Sequence, residues 1–314
     1  MESRQLGNTT LKTAPIIFGG NIFGWTVDEK KSYGLLDAFT GEGFNAIDSA
    51  DVYSRWVPGN SGGESETIIG NWMKKKNNRA QVLITTKGGA DSGHGPDLTA
   101  KNIIESAERS LKRLQTDYID LYYSHFDDGT TPVDETLEAY ARLVAAGKIL
   151  FIGTSNMSPE RIRASMEASD AKSFPRYQTL QPLYNLYDRE KYETGYLDLA
   201  TEYDLAVTPY YALASGFLTG KYRSEADLGK SQRGGGIAKY LNEKGNRILA
   251  ALDEVSKRYS STPARVSIAW LISQPTITAA IASATSAAQV EDFSRAVSLR
   301  LADEDLTMLT AAGN

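Results

Sequence analysis

The stretch Asn45-Ala46-Ile47-Asp48-Ser49-Ala50-Asp51-Val52-Tyr53 decides how the rest of the chain is read. Its first residues continue a short apolar strand, Phe44 to Ile47, and Asp48 then places a carboxylate where the strand should end. A phenol, Tyr53, follows in what must be a loop. A carboxylate at a strand end is costly unless something pairs with it. The next two apolar runs each end on a candidate: Lys87 follows Val82-Leu83-Ile84-Thr85-Thr86, and His125 follows Ile119-Asp120-Leu121-Tyr122-Tyr123-Ser124. Three successive strands thus bring one ionisable group each to the same end of a sheet, with Tyr53 over them. That is a constellation for proton transfer.

Outward from this stretch, strand and helix signals alternate. Strands are expected at Pro15 to Phe18, Phe44 to Asp48, Val82 to Thr86, Ile119 to Tyr123, Leu150 to Gly153, Tyr177 to Gln181, Leu205 to Pro209 and Thr278 to Ser283. Helical spacing of apolar residues fills the gaps, for example Ile68, Ile69 and Trp72, or Ile103, Ala107 and Leu111 behind a Thr99 cap. Tyr192 to Tyr203 reads as one helix, and Asn246 to Tyr259 as another. Eight such alternations predict an α/β fold, a (β/α)8 TIM barrel, as a single domain over residues 1–314. An open doubly wound sheet is the runner-up, but no G-x-G-x-x-G follows the first strand. Ahead of the barrel, Arg4 to Lys12 suggests an N-terminal β-hairpin with a tight Gly7-Asn8 turn. A long loop after strand 7, Tyr211 to Gly245, reads as a flap over a ligand. An extra C-terminal helix, about Asp303 to Ala312, closes the chain.

Composition removes several classes of function. A net charge of −5 gives no footprint for nucleic acid. The chain has no cysteine, which rules out disulfides and thiolate chemistry, and its two histidines predict no metal site. No stretch of about 18 apolar residues and no leader-like segment is present, so the expectation is a soluble, cytoplasmic protein with no membrane contact.

At this point the sequence resembles the aldo-keto reductase superfamily over nearly its whole length. The marks are Phe44 to Tyr53, Thr85-Thr86-Lys87, Leu121-Tyr122-Tyr123-Ser124-His125, Gly153-Thr154-Ser155-Asn156, Gln181-Pro182-Leu183-Tyr184-Asn185 and Gly216-Phe217-Leu218-Thr219-Gly220-Lys221-Tyr222, in this order. The flap and the Leu-Thr-Gly-Lys-Tyr run look like the bacterial members and the branch of the potassium-channel β-subunits. The resemblance implies a catalytic set of Tyr53, Asp48, Lys87 and His125. Tyr53 would be the general acid in carbonyl reduction and the base in the reverse direction. A free phenol titrates near about 10, too high for a base at neutral pH, and Lys87 beside it would lower that value. Asp48 would hold Lys87, and His125 would orient the carbonyl oxygen.

The resemblance also implies the cofactor site, with NADPH expected and NADH as the alternative. Ser155, Asn156 and Gln181 would hold the carboxamide, Tyr210 would stack on the nicotinamide, and Gly20, Asn21 and Asp48 would touch the same end. Leu213, Ser215 and Gly216 would line the pyrophosphate, with Lys221 and Arg233 supplying charge. In the eighth loop Ser283 would touch the cofactor, Thr285 and Gln289 would meet its 2′-phosphate and Asp292 the adenine amine. No Arg or Lys lies between Ser283 and Phe293, where the family pattern has a cation.

Aromatic residues after the first, second and fourth strands, Phe23, Trp25, Trp56 and Phe126, are expected to ring the substrate. The substrate would be a small-molecule aldehyde, ketone or sugar carbonyl, and a homo-oligomer stays open. The alternative reading is a nicotinamide-binding regulatory or redox-sensing subunit with vestigial turnover. No long extension precedes the hairpin, which argues weakly against a channel role.

Overall fold

The computed structural model describes residues 2–90 and 93–314. After the hairpin strands β1 (Arg4–Gln5) and β2 (Lys12–Thr13) come β3 (Ile16–Gly19), α1 (Glu29–Gly41), β4 (Ala46–Asp48), α2 (Glu64–Lys76) and β5 (Leu83–Gly88). There follow α3 (Ala100–Leu114), β6 (Ile119–Ser124), α4 (Val133–Ala145), β7 (Ile149–Ser155), α5 (Pro159–Lys172) and β8 (Tyr177–Gln181). The rest is α6 (Glu190–Gly195), α7 (Leu197–Glu202), β9 (Ala206–Val207), α8 (Glu243–Arg258), α9 (Pro263–Ser273), β10 (Ala280–Ala282), α10 (Ala287–Ser298) and α11 (Asp303–Ala312). Strands β3 to β10 form one parallel sheet of eight, in the order β10-β3-β4-β5-β6-β7-β8-β9. The two edges approach each other. The amides of Thr278 and Ile281 donate to the carbonyls of Val207 and Pro209, both at 2.9 Å, beside a parallel bridge between Val207 and Ile277. This curled sheet is consistent with a TIM-like barrel.

The helices begin where short polar side chains can accept the first free amides. Asp28, Thr99, Ser158, Asn242, Thr262 and Ser286 each cap the amide three residues on. Their apolar faces, with the fully buried Trp72 and Trp270, pack on the outside of the sheet. One polar staple fixes β5 against this layer. The buried Glu66 carboxylate on α2 accepts from Arg113 Nε of α3 at 2.6 Å and from Thr86 Oγ1 at 2.6 Å. Gly70 lets the two helices meet, since a Cβ there would come within 2.3 Å of the Arg113 carbonyl.

Three local expectations need correction. The hairpin has no two-residue Gly7-Asn8 turn; its loop runs from Leu6 to Leu11, because Thr9 Oγ1 donates to the Leu6 carbonyl at 2.7 Å and accepts from the Leu11 amide at 3.0 Å. The helix expected from Tyr192 to Tyr203 is two, α6 and α7, broken where the Tyr196 backbone leaves helical angles and its phenol donates to the Met157 carbonyl at 2.9 Å. Helix α8 starts at Glu243, before Asn246, because Asn242 caps it. The long segment after β9 is organised by short turns at Ala214–Thr219, Glu225–Lys230, Gly234–Gly236 and Ala238–Tyr240. Phe217 and Tyr240, stacked at 5.2 Å between ring centres, bury its middle.

The hairpin covers the N-terminal end of the sheet. Arg4 Nη1 donates to the carbonyls of Ile272, Ile277 and Thr278 at 2.9, 3.2 and 3.3 Å. Leu6 and Leu11 pack on Leu121, Tyr123 and Ala206. Asn45 ties the hairpin to β4 by donating to the Lys12 carbonyl at 2.9 Å and accepting from the Ala14 amide at 3.1 Å. The opposite, C-terminal end is thereby left as the open face.

Candidate active site

Residues two apart on a strand face the same way, so Lys87 and Thr85 on β5 both point inward, toward Asp48 at the end of β4. Thr85 Oγ1 donates to Asp48 Oδ1 at 2.7 Å, and Gln181 Nε2 from β8 donates to the same oxygen at 3.1 Å. Lys87 Nζ donates to Asp48 Oδ2 at 2.6 Å, to the Ser49 carbonyl at 2.6 Å and to the Tyr53 hydroxyl at 2.9 Å. Asp48 and Lys87 are both about 1% exposed, so each charge is kept in the interior by the other. The loop from Ser49 to Tyr53 is pinned to the strand beside it, with the amides of Ser49 and Asp51 donating to the Thr85 and Lys87 carbonyls at 2.8 and 3.0 Å. The carboxyl of Asp51 is pushed up to about 7 by burial and by the Glu66 carboxylate.

Burial and the Asp48 carboxylate push the Tyr53 phenol well above its ordinary value. The net shift is therefore upward, not the lowering expected from Lys87, because burial and the Asp48 carboxylate prevail. His125, at the end of β6, lies with its ring centre 6.1 Å from that of Tyr53 and stacks on Phe126 at 4.7 Å. Burial, and then the Lys87 charge, push its imidazole well below the ordinary histidine value, and its Nδ1 has no partner among the described residues. The site therefore presents a protonated phenol and a neutral imidazole.

A cavity of about 830 Å3 opens over these groups. Asp48, Tyr53 and His125 line it; Lys87 lies beneath, reaching it through Tyr53. Ser155, Asn156, Gln181 and Tyr210 line one wall as a connected set. Tyr210 donates to Asn156 Oδ1 at 3.0 Å, Asn156 Nδ2 donates to Ser155 Oγ and to the His125 carbonyl, both at 3.0 Å, and Ser155 Oγ donates to the Gln181 carbonyl at 2.8 Å. Asn156 holds a left-handed backbone, φ 50°, a strain that surrounding bonds must maintain. Leu213, Ser215, Gly216 and Lys221 line the next part, where Ala214, Ser215 and Gly216 turn with φ of 47°, 58° and 103°. Arg233 also lines the cavity, with its guanidinium 5.2 Å from the Trp25 ring.

Asn21, Ser283, Thr285, Gln289 and Asp292 complete the lining. Ser283 Oγ bonds the Gly19 carbonyl at 2.7 Å and Asn21 Oδ1 at 2.9 Å, while Gln289 Oε1 accepts from the Thr285 amide at 2.7 Å. Gly20 does not face the cavity; its carbonyl is turned to Ser65 Oγ at 2.8 Å, and Gly19 takes the lining position. A cation from another element reaches the eighth loop and is paired there with its carboxylate. Arg265 on α9 donates to Asp292 Oδ1 through Nε at 2.7 Å and Nη2 at 2.5 Å. Among the aromatics, Trp56 and Phe126 line the mouth, 49% and 39% exposed. Trp25 stands edge-on behind Trp56 at 5.5 Å. Phe23 is no part of the wall. It is fully buried, stacked on Phe18 at 5.3 Å, because the short turn after β3 folds it back into the core. Sequence reading also passed over Thr85, Tyr211 and Arg265. Thr85 carried a usable signal, its two-residue spacing from Lys87; Arg265, on a separate helix, carried none.

An ammonium held between a carboxylate and a phenol, with a neutral imidazole beside them at the C-terminal rim of a barrel-like parallel sheet, is the layout of a barrel enzyme equipped to move a proton. The chain belongs to the aldo/keto reductase family, whose sequence model matches residues 15–314. A protein of Arabidopsis thaliana named "Probable voltage-gated potassium channel subunit beta" is 31% identical over 308 residues, covering 95% of this chain and 91% of that protein. The "Uncharacterized oxidoreductase YrpG" of Bacillus subtilis is 32% identical over 318 residues, covering 98% and 95%. The "Aldo-keto reductase YhdN" of the same organism is 32% identical over 317 residues, covering 97% and 91%. The family carries carbonyl oxidoreductase activity in the broad sense and generally uses NAD(P)H. Among the described residues no helix is long and apolar enough to cross a membrane, and no group of three His, Asp or Glu side chains could hold a metal ion.

Proposed function

We propose that this chain is an NADPH-dependent reductase that reversibly converts aldehyde, ketone or sugar carbonyls to alcohols, on one closed (β/α)8 barrel. The observation that carries the reading is the Lys87 ammonium, bonded at once to the Asp48 carboxylate and to the Tyr53 hydroxyl under the cavity. The residues fit a nicotinamide: amide and hydroxyl groups of Ser155, Asn156 and Gln181 are gathered beside the flat face of Tyr210, and a left-handed turn with Lys221 suits phosphates. When bound, that group supplies the hydride. The protein's part is position and proton. Tyr53 gives its proton to the carbonyl oxygen as charge develops there, and Lys87, held by Asp48, steadies the phenolate that remains. The neutral imidazole of His125 orients the same oxygen. In the eighth loop the side chains of Thr285 and Gln289 favour the cofactor with a 2′-phosphate.

A second reading, a nicotinamide-binding regulatory subunit with vestigial turnover, is favoured by the β-subunit relative. One experiment separates the two. The protein is titrated with NADPH and NADH while tyrosine and tryptophan fluorescence is followed, and then a panel of aldehydes and sugars is added. Tight NADPH binding followed by its oxidation supports the reductase. Binding without turnover on any carbonyl supports the regulatory subunit, and no binding of either nucleotide sinks both.

A further inference from the structure

Lys87 holds the hydroxyl end of Tyr53, but the backbone that carries the ring must be held as well. The loop follows β5 as far as the Asp51 amide, which donates to the Lys87 carbonyl at 3.0 Å, and then turns away. Ser54, next to Tyr53, takes a left-handed backbone with φ 72° and is fully buried. Glycine would adopt that angle without strain, so the backbone gives no reason for a side chain here. The hydroxyl gives one. Ser54 Oγ donates to the Phe23 carbonyl at 2.5 Å, across to the loop after β3. Phe23 is itself buried in the core and stacked on Phe18 of β3 at 5.3 Å, which makes its carbonyl a fixed point.

A second side chain closes the same seam. Asn60 Nδ2 donates to the carbonyls of Gly24 and Ser54, at 3.0 and 3.1 Å, so one amide bridges the two loops. Gly24, with φ 73°, brings the first loop against α2, where a Cβ would lie 2.8 Å from Glu64 Cβ. Glu64 in turn accepts from the amides of Ser61 and Gly62 at 2.8 and 3.0 Å, which ties the end of the Tyr53 loop to the helix. The rings repeat the contact: Trp25 of the first loop meets Trp56 of the second edge-on at 5.5 Å, and Trp56 lies 6.2 Å from Tyr53. The backbone beside Tyr53 is thus fixed to the core through the neighbouring loop, independently of Lys87.

We propose that Ser54 is a positioning residue for proton transfer: its bond to the Phe23 carbonyl, supported by Asn60, sets where Tyr53 presents its proton to the substrate oxygen. Proton transfer needs the two oxygens within hydrogen-bond reach, about 2.6–3.2 Å, and a misplacement of about 1 Å costs up to about a hundredfold in rate. This inference rests on the reading of Tyr53 as proton donor given above, and its test is built to fail separately from it.

The probe substrate is 4-nitrobenzaldehyde, with NADPH oxidation followed in single turnovers so that product release does not mask the chemical step. Ser54→Gly removes the bond and relaxes the backbone, whereas Ser54→Ala removes the bond and keeps the strain. Both should slow the single-turnover rate by about tenfold, with NADPH affinity and half-saturation by the aldehyde within about twofold of the parent. A parent rate in either variant would overturn the proposal, because a side chain that merely supports the fold changes the denaturant midpoint and not the rate per folded molecule. So would a loss confined to aldehyde or NADPH binding. Should the Ser54 variants not fold, Asn60→Ala, at a partly exposed position, must show the same pattern in weaker form, and a parent rate there overturns the proposal. If the parent turns over neither this aldehyde nor any of the panel above, the reductase reading has failed, and the hold on Tyr53 is read directly. Protein labelled with 3-fluorotyrosine gives a fluorine resonance for Tyr53, assigned by its absence in Tyr53→Phe. In Ser54→Gly and Ser54→Ala that resonance should titrate at lower pH than in the parent, as the released phenol gains water; an unchanged titration overturns the proposal.

Discussion

In the proposed reaction Tyr53 keeps its proton until a carbonyl oxygen arrives, and its surroundings suit that: burial and the nearby Asp48 carboxylate both disfavour the phenolate. Replacing it with Phe removes the donor while keeping the ring against Trp56. We expect Tyr53→Phe to lower kcat by about 10²–10⁴-fold. The fluorescence titration should still show nucleotide binding; full turnover in the variant would show that another group gives the proton. His125 sets a dependence on pH. Its folded imidazole is held neutral, below the ordinary histidine range of about 6.5, whereas the unfolded chain takes up a proton there. The stability it permits is complete above that pH and falls as the pH drops below it. Melting curves at pH 5 and pH 7.5 should therefore show a larger drop for the parent than for His125→Gln; equal drops would remove His125 from the account. At this scale much was legible. Asp48, Lys87 and His125 each end an apolar run, and a strand end is where a sequence says most about which side chains meet. Arg265 was not legible, because it reaches Asp292 from α9 across the fold. That Arg233 Nη2 has no hydrogen-bond partner among the described residues is likewise a property of burial that spacing does not encode.

Elements carry the site through their irregularities. The pairing of β7 with β8 shifts register between Ile152 and Gly153, and the strand then delivers Ser155 and Asn156 to the rim. Gly153 permits this, since a Cβ there would meet Thr179 Oγ1 at 2.3 Å and the Tyr123 ring at 2.5 Å. We expect Gly153→Ala to cost about 1–3 kcal/mol by overpacking, read as a lower denaturant midpoint, and to weaken nucleotide binding as Ser155 and Asn156 shift. An unchanged midpoint would mean that β7 is free to move. The periods of strand and helix made the order of elements legible from sequence. The hairpin loop and the break between α6 and α7 were not, because Thr9 and Tyr196 decide them through side chain to backbone bonds that leave no periodic trace.

The molecule as a whole divides its labour between two ends. The hairpin seals the N-terminal end of the sheet through Arg4, Leu6 and Leu11, while the groups of the candidate site gather at the other. Stability and chemistry should then be separable by mutation. Leu6 is fully buried, and Leu6→Ala should cost about 2–5 kcal/mol in chemical unfolding. Activity per folded molecule, measured well below the melting temperature, should stay near that of the parent. A parallel loss of kcat would show that the two ends are coupled through the strands.

For the reductase proposed above, a cavity that takes aldehydes would be a hazardous place for an amine, because a free amino group condenses with an aldehyde and is lost as an imine. The nitrogen of Lys87 is committed three times over, to Asp48, to the Ser49 carbonyl and to Tyr53. An ammonium has three hydrogens to give and no lone pair left with which to attack. The bonds that position Tyr53 would thus also keep Lys87 inert toward such substrates and protect the protein from being poisoned by them.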